Sequence, residues 1–229
     1  MKKMWQLLWK DYRLNRGLMV LGVLGLIGVY LVGLATETTY TWPALPGSKV
    51  WADAILSYGH MALGVMPFIA ALLGGNAIAC ERADRSAHFL AYLPPTKAQI
   101  LSSKFIVIAC ALGILGSGNL LMIYVIAPLL SPDSENFLYM LGSPSAALAG
   151  CILTLGIGWL GSAYFEKPTI PVLAALTSPV VLSFGLFALA AVCGISKFEV
   201  AEWSGSVAFS IGIAAFFLGT WNYFHRVEP

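Results

Sequence analysis

Charge is what this sequence lacks. Lysine and arginine number 13 and aspartate and glutamate 11 among 229 residues, 10% in all, against about 25% in ordinary soluble domains. So few charges cannot form the solvated shell of a soluble enzyme of this length. Cysteine is sparse as well. Cys80, Cys110, Cys151 and Cys193 stand 30 or more residues apart. Without a Cys-x-x-Cys pair a zinc site is not expected, and all four read as apolar filler. The phosphate-binding pattern Gly-x-x-x-x-Gly-Lys-Ser/Thr is missing too, so the chain is not expected to hydrolyse ATP itself. Nor does polarity alternate over the ten-residue stretches that a membrane β-barrel needs.

Apolar residues fill the space the charges leave: 59% of the chain, with a mean hydropathy of +0.81. They fall in six stretches free of Asp, Glu, Lys and Arg. These are Gly17–Thr36, Ala54–Cys80, Phe105–Pro132, Asn136–Phe165, Pro168–Ser196 and Trp203–His225. Each has at least the roughly 20 residues that cross about 30 Å of hydrocarbon as a helix. The expected fold is an all-α membrane protein of six transmembrane helices, at approximately 17–36, 54–80, 104–130, 144–165, 169–194 and 204–224. The first run exceeds the 7–15 apolar residues of a signal-peptide core and is read as a span.

Six spans place both termini on one side. Eleven cations fall on that side: Lys2, Lys3, Lys10, Arg13, Arg16, Arg82, Arg85, Lys97, Lys104, Lys167 and Arg226. Only Lys49 and Lys197 fall opposite. The positive-inside rule makes the richer side cytoplasmic. Six acids (Glu37, Asp53, Asp133, Glu135, Glu199 and Glu202) mark short external loops, where solvated loop ends are the plain reading. Trp51, Tyr139 and Trp203 fit an outer aromatic belt.

Residues 1–16 separate two faces at helical spacing. Trp5, Leu8, Trp9 and Tyr12 make one, and Lys3, Gln6, Lys10 and Arg13 the other. An amphipathic helix lying in the membrane interface is expected there, its aromatics in the headgroup layer and its cations on anionic lipid.

Inside the spans the polar residues are few. No Asp or Glu lies in a span interior, which argues against ion-driven carriers and proton relays. His60 would suit proton or metal chemistry, though a lone histidine near a helix end is more often neutral and packed. Asn76 and Asn119, with Asn222, either line a pathway or join helices by hydrogen bonds. Gly22, Gly25 and Gly28 in the first span, and Gly150, Gly156, Gly158 and Gly161 in the fourth, make either a dimer seam or packing within the bundle. Pro67, Pro171 and Pro179 are placed to kink spans.

The loop from Glu81 to Lys104 mixes charge with an apolar stripe. Phe89, Leu90 and Leu93 make a short apolar face, and Pro94–Pro95 end that helix. Thr96 with Gln99 three residues on forms a capping box that starts the next helix. A passive connector has no need of an apolar stripe at the surface, whereas a docking site for a cytoplasmic partner does.

The amphipathic start, the six spans, Glu81-Arg82 closing the second, Leu90-Ala-Tyr-Leu-Pro-Pro-Thr-Lys-Ala-Gln-Ile and Lys104 entering the third occur together. In this combination the chain resembles a permease subunit of the type-two ATP-binding-cassette (ABC) exporters over nearly its whole length. The resemblance implies an elbow helix at 1–16, with Trp5, Trp9, Lys10, Tyr12 and Arg13. It implies a coupling helix in the cytoplasmic loop 81–103, seated on a nucleotide-binding subunit. There Glu81, Arg82, Arg85, Phe89, Leu90, Leu93, Pro94, Lys97 and Lys104 would couple to the ATPase. Leu93-Pro94 with Lys97 matches the family's Leu-Pro-x-x-Arg/Lys turn, with Pro95 doubling the proline. Glu166-Lys167-Pro168 would make a lesser contact, and residues 195–203 would be a brief external re-entrant region.

The same resemblance implies a separate ATPase that carries ATP and magnesium, and a second permease half, identical or a sister chain. It implies the bacterial cytoplasmic membrane, surrounding lipid and no nucleic acid. With uncharged spans the expected cargo is lipid-like, peptide or amphipathic. Two alternatives stand beside this reading: a non-transporting anchor or assembly subunit for a cytoplasmic partner, and an ATP-independent channel or carrier.

Overall fold

The computed structural model describes residues 2–41, 47–83, 96–130, 144–194 and 196–226. Its regular elements among these are helices: α1 (Lys2–Thr41), α2 (Gly47–Asn76), α3 (Ala79–Ala83), α4 (Lys97–Leu121), a π-helical turn (Met122–Ile126), α5 (Ala127–Leu130), α6 (Pro144–Tyr164), α7 (Thr169–Cys193) and α8 (Lys197–Arg226). Six stretches are long and apolar enough to cross a membrane: Met4–Thr36, Lys49–Glu81, Lys97–Leu130, Pro144–Tyr164, Thr169–Cys193 and Trp203–His225. Each overlaps one of the six charge-free runs, so the protein is a helical membrane protein by length and composition.

Several boundaries differ from the sequence reading. No break separates residues 1–16 from the first span, because α1 runs unbroken for 40 residues. The junction Arg13-Leu-Asn-Arg-Gly17 holds no proline, and one glycine in a helix costs only about 1 kcal/mol. At the end of the second run, α2 stops at Asn76. Its side chain folds back to the Leu72 carbonyl (2.8 Å), and the Ala77 amide turns to Gly74 (3.2 Å) before α3 carries Glu81. Ahead of the sixth span there is no separate re-entrant piece at 197–203, since Lys197 already begins α8. The Glu199 amide donates to Ser196 Oγ (3.3 Å) and the Ser196 amide to the Glu199 carboxylate (3.1 Å). This reciprocal cap starts the helix early. Just before it, Gly194 takes the left-handed φ of 68° that ends α7, a conformation natural to glycine.

The second span is the hub. It packs on α1, α4, α6 and α7, and 61% of its apolar window is buried within the protein. The fifth span is the rim, with 6% buried. Its outward Leu173, Val181, Phe184 and Val192 are exposed, the condition of a lipid-facing helix.

Close packing comes from small residues. A Cβ added at Gly156 of α6 would lie 2.0 Å from the Gly212 carbonyl oxygen of α8, and one at Gly158 would lie 2.8 Å from the Gly75 nitrogen of α2. The fourth-span glycines named here are therefore seams inside the chain. Trp159, wholly buried between them, donates its indole N–H to Thr220 Oγ1 (3.3 Å).

Candidate functional site

Four charges meet at the end of the bundle that carries Glu81. The start of α4 is fixed first. The Gln99 amide donates to Thr96 Oγ1 (3.3 Å) and the Thr96 amide to Gln99 Oε1 (3.1 Å), the expected capping box. Two turns on, Ser103 and Lys104 point inward, 0% and 4% exposed. From α1, Asp11 points to the same place and is 1% exposed, while from α3 Glu81 is 6% exposed.

Lys104 Nζ lies 2.9 Å from Glu81 Oε1 and 3.5 Å from Asp11 Oδ1. Lys10 reaches from α1 to the same Glu81 oxygen and stands 3.7 Å from Asp11 Oδ1. Ser103 donates its hydroxyl to Asp11 Oδ2. Among the described residues Asp11 Oδ1 accepts no hydrogen bond, and it faces the two ammonium groups. Among the described residues the cluster holds two positive and two negative charges. This pairing makes burial tolerable, since an isolated buried charge is very costly.

The cluster draws in several of the residues that the sequence singles out. Glu81 and Lys104, expected to couple to an ATPase, are turned into the protein and bind each other. Lys10, expected on the lipid-headgroup face, is half-buried on Glu81. Together they tie α1 to both ends of the intervening segment, through Glu81 before it and Lys104 after it. Lys97 is exposed on the first turn of α4, and Arg82 lies within α3. Arg85, Phe89, Leu90, Leu93 and Pro94 lie outside the described residues. On α1, Trp5, Trp9, Tyr12 and Arg13 are exposed, with the Trp9 and Tyr12 rings 5.7 Å apart. Trp5, Trp9 and Tyr12 line a groove of about 410 Å³ against Ile106 and Cys110 of α4.

A second polar junction lies deeper. Tyr30 of α1 donates to Asn119 Oδ1 of α4, and Asn119 Nδ2 donates to the Gly59 carbonyl of α2 (3.0 Å). One buried amide thus joins three helices. The π-helical turn begins three residues later. Half-buried His60 sits beside this junction in sequence, with Nδ1 3.0 Å from the Leu56 carbonyl of its own helix. Asn76 likewise bonds its own helix, while Asn222 Nδ2 donates to the Ala163 carbonyl and joins α8 to α6 (3.1 Å). Among the described residues, no cluster of three or more His, Cys, Asp or Glu is placed to hold a metal ion.

The third feature is an apolar slot of about 580 Å³. One wall is α4, where Ala109, Gly113 and Gly116 leave room. The other is α6 and α8, with Leu148, Leu155 and Ile213, and α2 supplies Leu63 and Met66 as the floor. Phe105 and Phe216 bring α4 and α8 together, with ring centroids 5.3 Å apart, and Phe216 rests on Trp159 at 4.9 Å.

Compared with protein families, curated proteins and solved structures, the chain matches none.

Proposed function

We propose that this chain is the membrane-spanning half of an ATP-driven ABC-type exporter, moved by a separate ATPase that docks on the loop between the second and third spans. The observation that carries the reading is the buried charge cluster. Residues 84–95 are bounded by Glu81 and Lys104, and both are bound to α1. A push on that loop therefore has no slack at its roots. It moves α1, α3 and α4 together, as rigid-body switching requires. In this account residues 1–16 are the interfacial part of α1, with Trp5, Trp9 and Tyr12 at headgroup depth and Arg13 on anionic lipid. The cation-rich end lies in the cytoplasm, and a second half completes the pathway.

The docking stripe is Phe89, Leu90 and Leu93, with Arg82, Arg85 and Lys97 as its charged rim. Glu81 and Lys104 transmit the push and do not touch the partner. Capture of tagged chains in mild detergent tests this. Leu90→Asp and Leu93→Asp are expected to lose the ATPase that the unmodified chain retains, with helicity unchanged. Full retention of the ATPase by both variants would remove the loop from the account.

A further inference from the structure

We propose that the slot between α4 and the α6–α8 pair is a binding site for one acyl chain of a membrane phospholipid, entering sideways from the bilayer. The inference rests on the chain spanning a membrane and needs no ATPase partner.

The lining decides the chemistry. It is built from Leu, Ile, Met, Phe, Ala, Gly, Pro and the single thiol of Cys151. A bound water needs two to four polar partners. Here the described side chains offer none beyond that thiol, and away from the first turn of α6 at Pro144 the helical backbone groups bond each other. Engineered apolar cavities of about 150 Å³ stay dry and take up apolar ligands. This slot is larger by several-fold and lies among four spans, so hydrocarbon is what it meets.

Its length suits a hydrocarbon chain. The lining runs from Phe105 to Leu120 along α4, about 22 Å at 1.5 Å per residue. The 580 Å³ open along that length admits a single extended hydrocarbon chain. The back wall does not yield, because α6 and α8 touch backbone to backbone at Gly156 and Gly212. The Phe105–Phe216 contact narrows the slot at the end nearest Lys104.

The glycines supply the test. A Cβ at Gly113 meets nothing within 4 Å, so Gly113→Leu enters the slot with no clash at its Cβ. The full-length chain is reconstituted in phosphatidylcholine–phosphatidylglycerol vesicles that contain a phospholipid with a photoreactive group at the acyl terminus. After irradiation the adducts are mapped by mass spectrometry. Adducts are expected on Leu155, Ile152 and Leu148 as well as on open lipid-facing residues such as Leu173 and Val181. Gly113→Leu is expected to lose the first set and keep the second. Two results would each overturn the proposal. One is an unmodified chain labelled only at the open residues, which needs no variant to fold. The other is a Gly113→Leu chain labelled like the unmodified one. Either leaves the ATPase reading standing, because no ATPase enters the assay.

Discussion

Replacing Lys104 by methionine removes one of the two described cations from the buried cluster. Among its described members, Glu81 and Asp11, 6% and 1% exposed, then keep Lys10, whose side chain is one-third exposed. Breaking a buried ion pair by deleting one partner costs about 3–5 kcal/mol, because the remaining charge is uncompensated. Replacing Glu81 and Lys104 together behaves differently. One charge of each sign goes, Lys10 still faces Asp11, and Ser103 still donates to the carboxylate. Swapping a whole buried pair for apolar side chains of similar volume is neutral to stabilising by about 1–4 kcal/mol. The double variant is therefore expected to recover what Lys104→Met loses, with a coupling of roughly 3 kcal/mol or more in the double-mutant cycle. The assay is reversible unfolding in mixed micelles followed by circular dichroism, with Lys167→Met, exposed in the turn before α7, as the control. If Lys104→Met were no more destabilised than Lys167→Met, or the double variant as unstable as the sum of its singles, the cluster would not be the tie described.

Further outcomes follow from the same packing. Gly156→Ala drives a Cβ to 2.0 Å from the Gly212 carbonyl and is expected to cost about 1–3 kcal/mol or more. Gly113→Ala, with open space, should match or exceed the unmodified chain by up to about 1 kcal/mol, and thermal midpoints in detergent compare the two. Asn119→Leu and Tyr30→Phe should each lose roughly 0.6–2 kcal/mol. The two are expected to be non-additive, since both break the Tyr30–Asn119 bond. An additive pair in the same unfolding assay would refute that coupling.

The spans were legible because a bilayer imposes one rule on composition: about 20 residues without charge. The start of α4 was legible for a local reason, in that Pro94–Pro95 forbid helix and Thr96 with Gln99 begins one. The charge cluster was not legible as such. Lys10–Asp11, Glu81 and Lys104 are distant in sequence, and the sequence reading puts Lys10 on the interfacial helix and Glu81 and Lys104 at the ATPase contact. A signal was present in Glu81, which directly follows 27 uncharged residues. An acid flush with the end of a buried span is desolvated and needs a cation. Likewise Glu199, read as an external-loop acid, forms a capping box with Ser196. The fourth-span glycines left seam and packing equally open, because which helix faces Gly156 depends on Gly212, 56 residues away. The slot was invisible for the same reason. Its small-residue wall on α4 is in the sequence, but the gap exists only because α6 and α8 close on each other instead.

The central claim is that a separate ATPase works these helices. The most direct test is chemical crosslinking in the native membrane, then capture of the tagged chain and mass spectrometry. The account predicts a P-loop ATPase at one copy per chain, crosslinked to Lys97 or to residues 84–95, and a second permease half in the same complex. The chain recovered under crosslinking without any ATPase would contradict it.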